Sequence, residues 1–405
     1  MNKRSLLLLT LMLIFTQQAA YALAEWTVLT YIQGDNDLDP FADFNIRDMQ
    51  KVGSTPAVNI VVQWDQPNNN KTWRYKVNKG SRTDVGTLNL EMGVNAKNEL
   101  VSAMQWVKDN YPAKKYALIL WDHGNGVLDR ALNKALSTHS WLATIPGGKA
   151  LLQERGILYD YTQDTFLDNS DLLYVLQQTK NILGQNLDIL GTDACYMGML
   201  ELACQAKDYA NYFVASEETI PGEGWPYSRF LAPLVKTPTQ TALTLSKSIV
   251  SAYKSYYRTT RDVTLSSVDV SKVAAINTTL NAVIQEINTI AQTNGAAIRT
   301  VINRAYTNAT HFSQYDYIDL YTFLSNLSSE AKKNKAVGTK SFTTALTNAM
   351  NATLNAVVAN GVGTAYPKAK GISIYFPSSL PLGDGYTDTL FYQQSQWASF
   401  LNNYA

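Results

Sequence analysis

From about residue 26 to 216, short continuous apolar runs alternate with amphipathic helical pattern, and this alternation restricts the fold more than any other feature of the chain. The apolar runs lie at 26–33, 58–63, 116–121, 187–191 and 212–216, with a further candidate at 73–77. They lack a strict apolar–polar period, as strands covered on both faces do. Helical pattern fills 40–52, 98–110, 170–181 and 197–206 between them. Strand and helix in turn predict an α/β protein with a mostly parallel sheet between helical layers. From about Pro238 the sequence becomes Ala/Thr/Asn-rich and helical, at 238–258, 270–293, 297–306, 316–328 and 340–358. A late apolar run at 371–377 reads as a buried strand returning to the first sheet. The expected organisation is a core at 25–237 and a helical C-terminal region at 238–405.

In such sheets reactive groups collect at the carboxyl ends of the strands. Two ends carry them here. The run 116–121 leads into Asp122-His123-Gly124, and the run 187–191 leads into Thr192-Asp193-Ala194-Cys195. A thiol near its ordinary pKa of about 8.5 is a poor nucleophile, and a neighbouring imidazole or a helix amino terminus lowers that value. Cys195, before a helix expected from Met197, is placed to have both. His123 is the candidate for protonating a leaving amine and then activating water. The N–H groups of Gly124 and Cys195 are candidates for holding an oxyanion. Asp193, two residues before Cys195, shares its face on an extended chain. A carboxylate there suits a pocket for a cationic side chain, although capping or a solvated-loop role accounts for it equally well on spacing alone.

These segments, together with Ala215-Ser216-Glu217-Glu218, Pro221-Gly222-Glu223-Gly224-Trp225-Pro226-Tyr227 and Thr30-Tyr31-Ile32-Gln33-Gly34-Asp35-Asn36-Asp37-Leu38, resemble the clostripain-type cysteine peptidases, a branch of the caspase-like group. The resemblance covers most of the chain and is weakest at 238–310 and 127–155. It implies a caspase-like α/β/α sandwich, a His123/Cys195 dyad and Asp193 in a pocket for Arg or Lys, with Glu223 as a second pocket wall. It also implies maturation by cutting the stretch at 127–160, where Lys149 and Arg155 are the candidate sites. The expected function is an endopeptidase working through an acyl-enzyme. A catalytically idle peptide-binding module and an acyl-transferring enzyme are the alternatives.

Bulk properties fit this expectation. Lys3 and Arg4 precede an apolar run at 6–15, and Ala22-Leu23-Ala24 has the small-x-small spacing of a leader cleavage site. A leader at 1–24 implies a secreted or periplasmic protein. A net charge of +1 without a basic stretch argues against nucleic acid or an anionic membrane as partner, leaving a monomer acting on protein or peptide substrates. Cys195 and Cys204 flank a strand–helix junction, an awkward place for a disulfide. The acidic run at 35–39 begins like a calcium loop, but Pro40 and Ile46 stand where an EF-hand needs Gly and Glu. No metal site or cofactor is therefore assigned, calcium being left open as a stabilising ion, and Asp39-Pro40 is read as a helix start.

Overall fold

The structure is a computed structural model describing residues 23–67, 69–128 and 156–404. Lys149, Arg155 and all of the expected leader except Leu23 and Ala24 lie outside the described residues. Ala24 itself opens the first strand.

The strands, in chain order, are β1 (Ala24–Ile32), β2 (Val58–Asp65), β3 (Thr72–Asn78), β4 (Ser81–Asp84), β5 (Ala113–Trp121), β6 (Ile157–Asp160), β7 (Thr165–Leu167), β8 (Leu187–Asp193), β9 (Ala210–Ala215), β10 (Thr264–Asp269), β11 (Tyr317–Asp319), β12 (Val357–Val362) and β13 (Ser373–Tyr375). Nine of them form one sheet in the order β12-β10-β9-β8-β5-β1-β2-β3-β4. Its middle, from β9 to β2, is parallel. Both margins are antiparallel: β3 and β4 beyond β2, β10 and β12 beyond β9. The five apolar runs of the sequence are the five parallel strands, because only strands with helices on both faces bury every side chain.

Alternate residues of these strands feed two separate cores. Val28, Ile32, Ile60, Val62, Ile119 and Ile189 pack with the helices Asp39–Gln50, Tyr227–Lys236 and Ala242–Tyr256. Leu29, Tyr31, Val61, Leu118, Leu120 and Leu190 face the opposite core, where the helices Ala96–Asn110, Asn169–Leu183 and Leu200–Ala206 continue into the long C-terminal helices. The helices expected at 270–293 and 297–306 run together as Val273–Thr307, with a kink at Asn294.

Two expectations at the C-terminal side need correction. The run at 371–377 does not rejoin the main sheet: β13 pairs with β11 in a small sheet of its own, and Ser373 bridges Met199. The sheet is instead extended by β10 and β12, so it crosses the expected boundary at 238. The sequence hides both strands. β10 buries Ser266 and Ser267, which an apolar search passes over, and β12 is a half-buried edge containing Asn360-Gly361.

Candidate active site

β5 lies between β1 and β8, and Trp121 of β5 is opposite Asp193 of β8. His123 and Cys195 therefore stand the same two residues beyond paired positions of adjacent strands. Both line one cavity of about 210 Å³, together with Asp193, Leu38, Thr219, Ile220 and Gly224. His123 and Cys195 are partly exposed there, whereas Asp193 is buried.

His123 is held from one side. Its Nε2 lies 2.8 Å from Oδ1 of Asp37, and the same oxygen accepts the Tyr161 hydroxyl at 3.0 Å. The imidazole is parallel to the Tyr161 ring, with centroids 6.4 Å apart. The hydrogen bond to His123 holds the Asp37 carboxyl below its usual range, so this carboxylate orients the ring. Asn36, next in the chain, donates from Nδ2 to Asp122 Oδ1 at 2.7 Å and to the Tyr159 carbonyl at 3.0 Å. The stretch after β1 and the β6–β7 hairpin thus brace the histidine together. Sequence reading passed over Asp37 and Tyr161; the acidic run at 35–39 was the visible signal, but its link to His123 is made only by the fold.

The sulfur of Cys195 accepts the Ile220 N–H at 3.3 Å, a donor that favours thiolate. The expected helix-end contribution is not present. The helix begins at Leu200 rather than Met197, because the chain is still extended at Met199, its N-cap; upstream, Tyr196 takes a left-handed backbone with φ 60°. Gly198 then passes close against the next strand end, its N–H donating to the Ser216 carbonyl at 2.6 Å. A Cβ on Gly198 would lie 2.7–2.9 Å from backbone atoms of Ser216 and Glu217. This glycine thus serves a close backbone crossing. Gly124, the candidate oxyanion residue, packs directly on the Cys195 carbonyl, 2.5 Å from where its own Cβ would stand. Cys204 is a free, buried thiol whose pKa burial pushes up to about 12; it is chemically quiet.

Asp193 is fixed by its Oδ2, which accepts from Trp225 N–H at 2.9 Å and the Tyr227 hydroxyl at 3.0 Å. Its Oδ1 is buried and has no hydrogen-bond partner. Burial pushes this carboxyl up to about 7. Gly224, at φ 63°, makes the fit possible, since a Cβ there would sit 2.8 Å from Asp193 Oδ2. Glu223 is placed differently from the expectation. It is exposed and lines a neighbouring cavity of about 140 Å³ with Asp48, Lys51 and Arg229, not the cavity of Cys195. Its carbonyl accepts from Asn45 Nδ2 at 2.8 Å, which points the loop backbone inward and leaves the side chain outside.

Comparison with known proteins agrees with this arrangement. The sequence pattern of the clostripain family matches residues 30–404. The chain belongs to the clostripain family. Clostripain of Hathewaya histolytica is 25% identical over 236 residues, covering 50% of this chain and 41% of that protein. The chain thus spans less than half the length of this curated relative. Two solved structures share the fold of this clostripain-family chain. One is a secreted C11 cysteine protease from Bacteroides thetaiotaomicron in complex with an irreversible peptide inhibitor, at 20% identity and TM-score 0.66 over 93% of this chain and 100% of that one. The other is an inactive zymogen C11 protease from Parabacteroides distasonis, at 18% identity and TM-score 0.62 over 92% and 98%. The caspase-like α/β/α fold is the one expected from the sequence.

Proposed function

We propose that the protein is an exported cysteine endopeptidase that cleaves after Arg or Lys through an acyl-enzyme. The observation that carries this reading is the single cavity in which Cys195 and His123 meet a buried carboxylate with an unpartnered oxygen. The Cys195 sulfur, its proton passed to His123, attacks the scissile carbonyl carbon. The resulting oxyanion is held by the N–H groups of Gly124 and Cys195. The imidazolium then protonates the departing amine, and His123 activates water to hydrolyse the thioester. With Nε2 directed to Asp37, the travelling proton is carried by Nδ1. The basic side chain of the substrate is received by Asp193 Oδ1.

Asp193 also answers an objection to placing a carboxylate near a thiolate. With its pKa raised to about 7, it is substantially protonated until a cation enters, so it opposes thiolate formation less than an ordinary carboxylate. Cleavage within 127–160 at Lys149 or Arg155 belongs to the same reading, since either residue satisfies the proposed specificity. Export rests on the leader pattern at 1–24 and on the secreted relative. Turnover of an arginyl-amide reporter by the purified protein, abolished in Cys195→Ala, is the expected result. Reporter turnover that survives Cys195→Ala would end the proposal.

A further inference from the structure

Glu218, in the acidic pair that follows β9, takes no part in the proposed chemistry. It is nevertheless completely buried, and it stands two residues before Ile220, whose N–H meets the Cys195 sulfur. A carboxylate is kept in such a place only where donors compensate its charge. Here they come from three segments. Its Oε1 accepts from the Thr219 N–H at 2.8 Å. Its Oε2 accepts from the Ser313 N–H at 2.8 Å and from the Tyr366 hydroxyl. Ser313 precedes β11 and Tyr366 follows β12, so both belong to the region beyond Pro238.

The main chain of Glu218 is tied as well. Its N–H donates to Thr264 Oγ1 at 3.0 Å and to Ser216 Oγ at 3.2 Å. Its carbonyl accepts the Tyr196 N–H at 3.2 Å, and the Ser216 carbonyl accepts the Gly198 N–H at 2.6 Å. Paired in this way, the segment after β8 and the segment after β9 run antiparallel. The next step of the pairing sets the Ile220 N–H against the Cys195 side chain at 3.3 Å. Only Thr219 separates that donor from Glu218, and the Thr219 N–H is itself bonded to the Glu218 carboxylate.

We infer that Glu218 is a positioning residue for the nucleophile: clamped by Ser313 and Tyr366, it holds the Ile220 N–H on the Cys195 sulfur. The inference deepens the peptidase reading and gives the C-terminal region a part in it. A hydrogen bond to sulfur favours the thiolate only while donor and acceptor stay aligned. The bonds to Glu218 are charge-assisted and join segments distant in sequence, so they fix the loop more firmly than its local turn does. A carboxylate acting through its charge alone would have the opposite sign. Its removal would let Cys195 ionise at lower pH, whereas loss of the clamp frees the donor and makes Cys195 ionise at higher pH.

The test follows alkylation of Cys195 by iodoacetamide against pH in the full chain, with the modified residue identified by mass spectrometry. Glu218→Gln keeps the shape of the side chain but offers one acceptor oxygen in place of two. Tyr366→Phe keeps the carboxylate and removes one donor. Neither substitution alters His123 or Asp193. The midpoint of alkylation should rise by about one pH unit in Glu218→Gln, the size of one hydrogen bond to a charged group, and by about half as much in Tyr366→Phe. The double variant should match Glu218→Gln, because both changes act through one chain of contacts. An unchanged or lowered midpoint in either single variant, or full additivity in the double, would overturn the inference. Thermal melting identifies a Glu218→Gln chain that fails to fold, and Tyr366→Phe then decides by itself. Reporter turnover at pH 7 should fall at least about threefold in both single variants. A parent chain without turnover would sink the peptidase reading alone, since alkylation needs no substrate.

Discussion

At the scale of single residues, Asp193 gives the sharpest expectation. Its carboxyl is pushed up to about 7 by burial, and a basic side chain binds the ionised form. Below that pH the substrate must first displace a proton, so kcat/KM on Arg or Lys substrates should fall roughly tenfold per pH unit. Alkylation of Cys195 by a small neutral reagent reports the dyad without using the pocket, so it separates this limb from the titration of Cys195 and His123. Asp193→Asn should remove the limb and lower kcat/KM at pH 8 by at least about tenfold, the range of a hydrogen bond to a charged group. An intact basic preference in that variant would contradict the pocket assignment. Asp37 is a positioning residue, acting through His123. Asp37→Asn should lower kcat by at least about tenfold with KM nearly unchanged, because tautomer and orientation are lost while the pocket is not. A change confined to KM would remove Asp37 from that role.

At the scale of elements, the segment between β8 and the helix Leu200–Ala206 decides where the nucleophile stands. Gly198 passes so close to the end of β9 that any Cβ would meet backbone. Gly198→Ala should therefore destabilise the fold by about 1–3 kcal/mol, as overpacking does, and displace Cys195; denaturant midpoints and alkylation rates measure the two effects. This segment also shows where sequence reading reaches its limit. The residues Leu200–Ala206 are all buried, so no amphipathic period marks where the helix begins. The left-handed turn at Tyr196 has no glycine to announce it. By contrast the parallel strands declared themselves, because complete burial demands unbroken apolar runs, and their paired ends brought His123 and Cys195 together as expected. Contacts between distant segments, Asp37 with His123 or Glu218 with Ser313, leave no local pattern to read. The family resemblance alone implies a pocket role for Glu223, yet Asn45 holds the loop so that its carbonyl, not its side chain, faces inward.

At the scale of the whole molecule, the buried acids make stability depend on pH in a direction opposite to that of paired surface carboxylates. Glu201 is completely buried against β13, its Oε1 accepting from Tyr375 N–H at 2.9 Å while Oε2 has no partner. Burial pushes its pKa up to about 7. In the unfolded chain the group titrates near 4.3, so between these values the folded protein holds a proton that the unfolded one has lost. Its contribution is full below the unfolded value and is lost as pH rises toward 7, on the order of 3 kcal/mol in all. Glu217, which burial and the Asp319 carboxylate raise, and Asp319, which burial raises, act with the same sign. The fold should therefore resist urea better at pH 5 than at pH 8. Glu201→Gln keeps an acceptor for Tyr375 and removes the titration. It should flatten the dependence and gain stability at pH 8, while changing little at pH 4. A variant as pH-sensitive as the parent chain would show that Glu201 stays ionised within the core, held by a donor other than Tyr375.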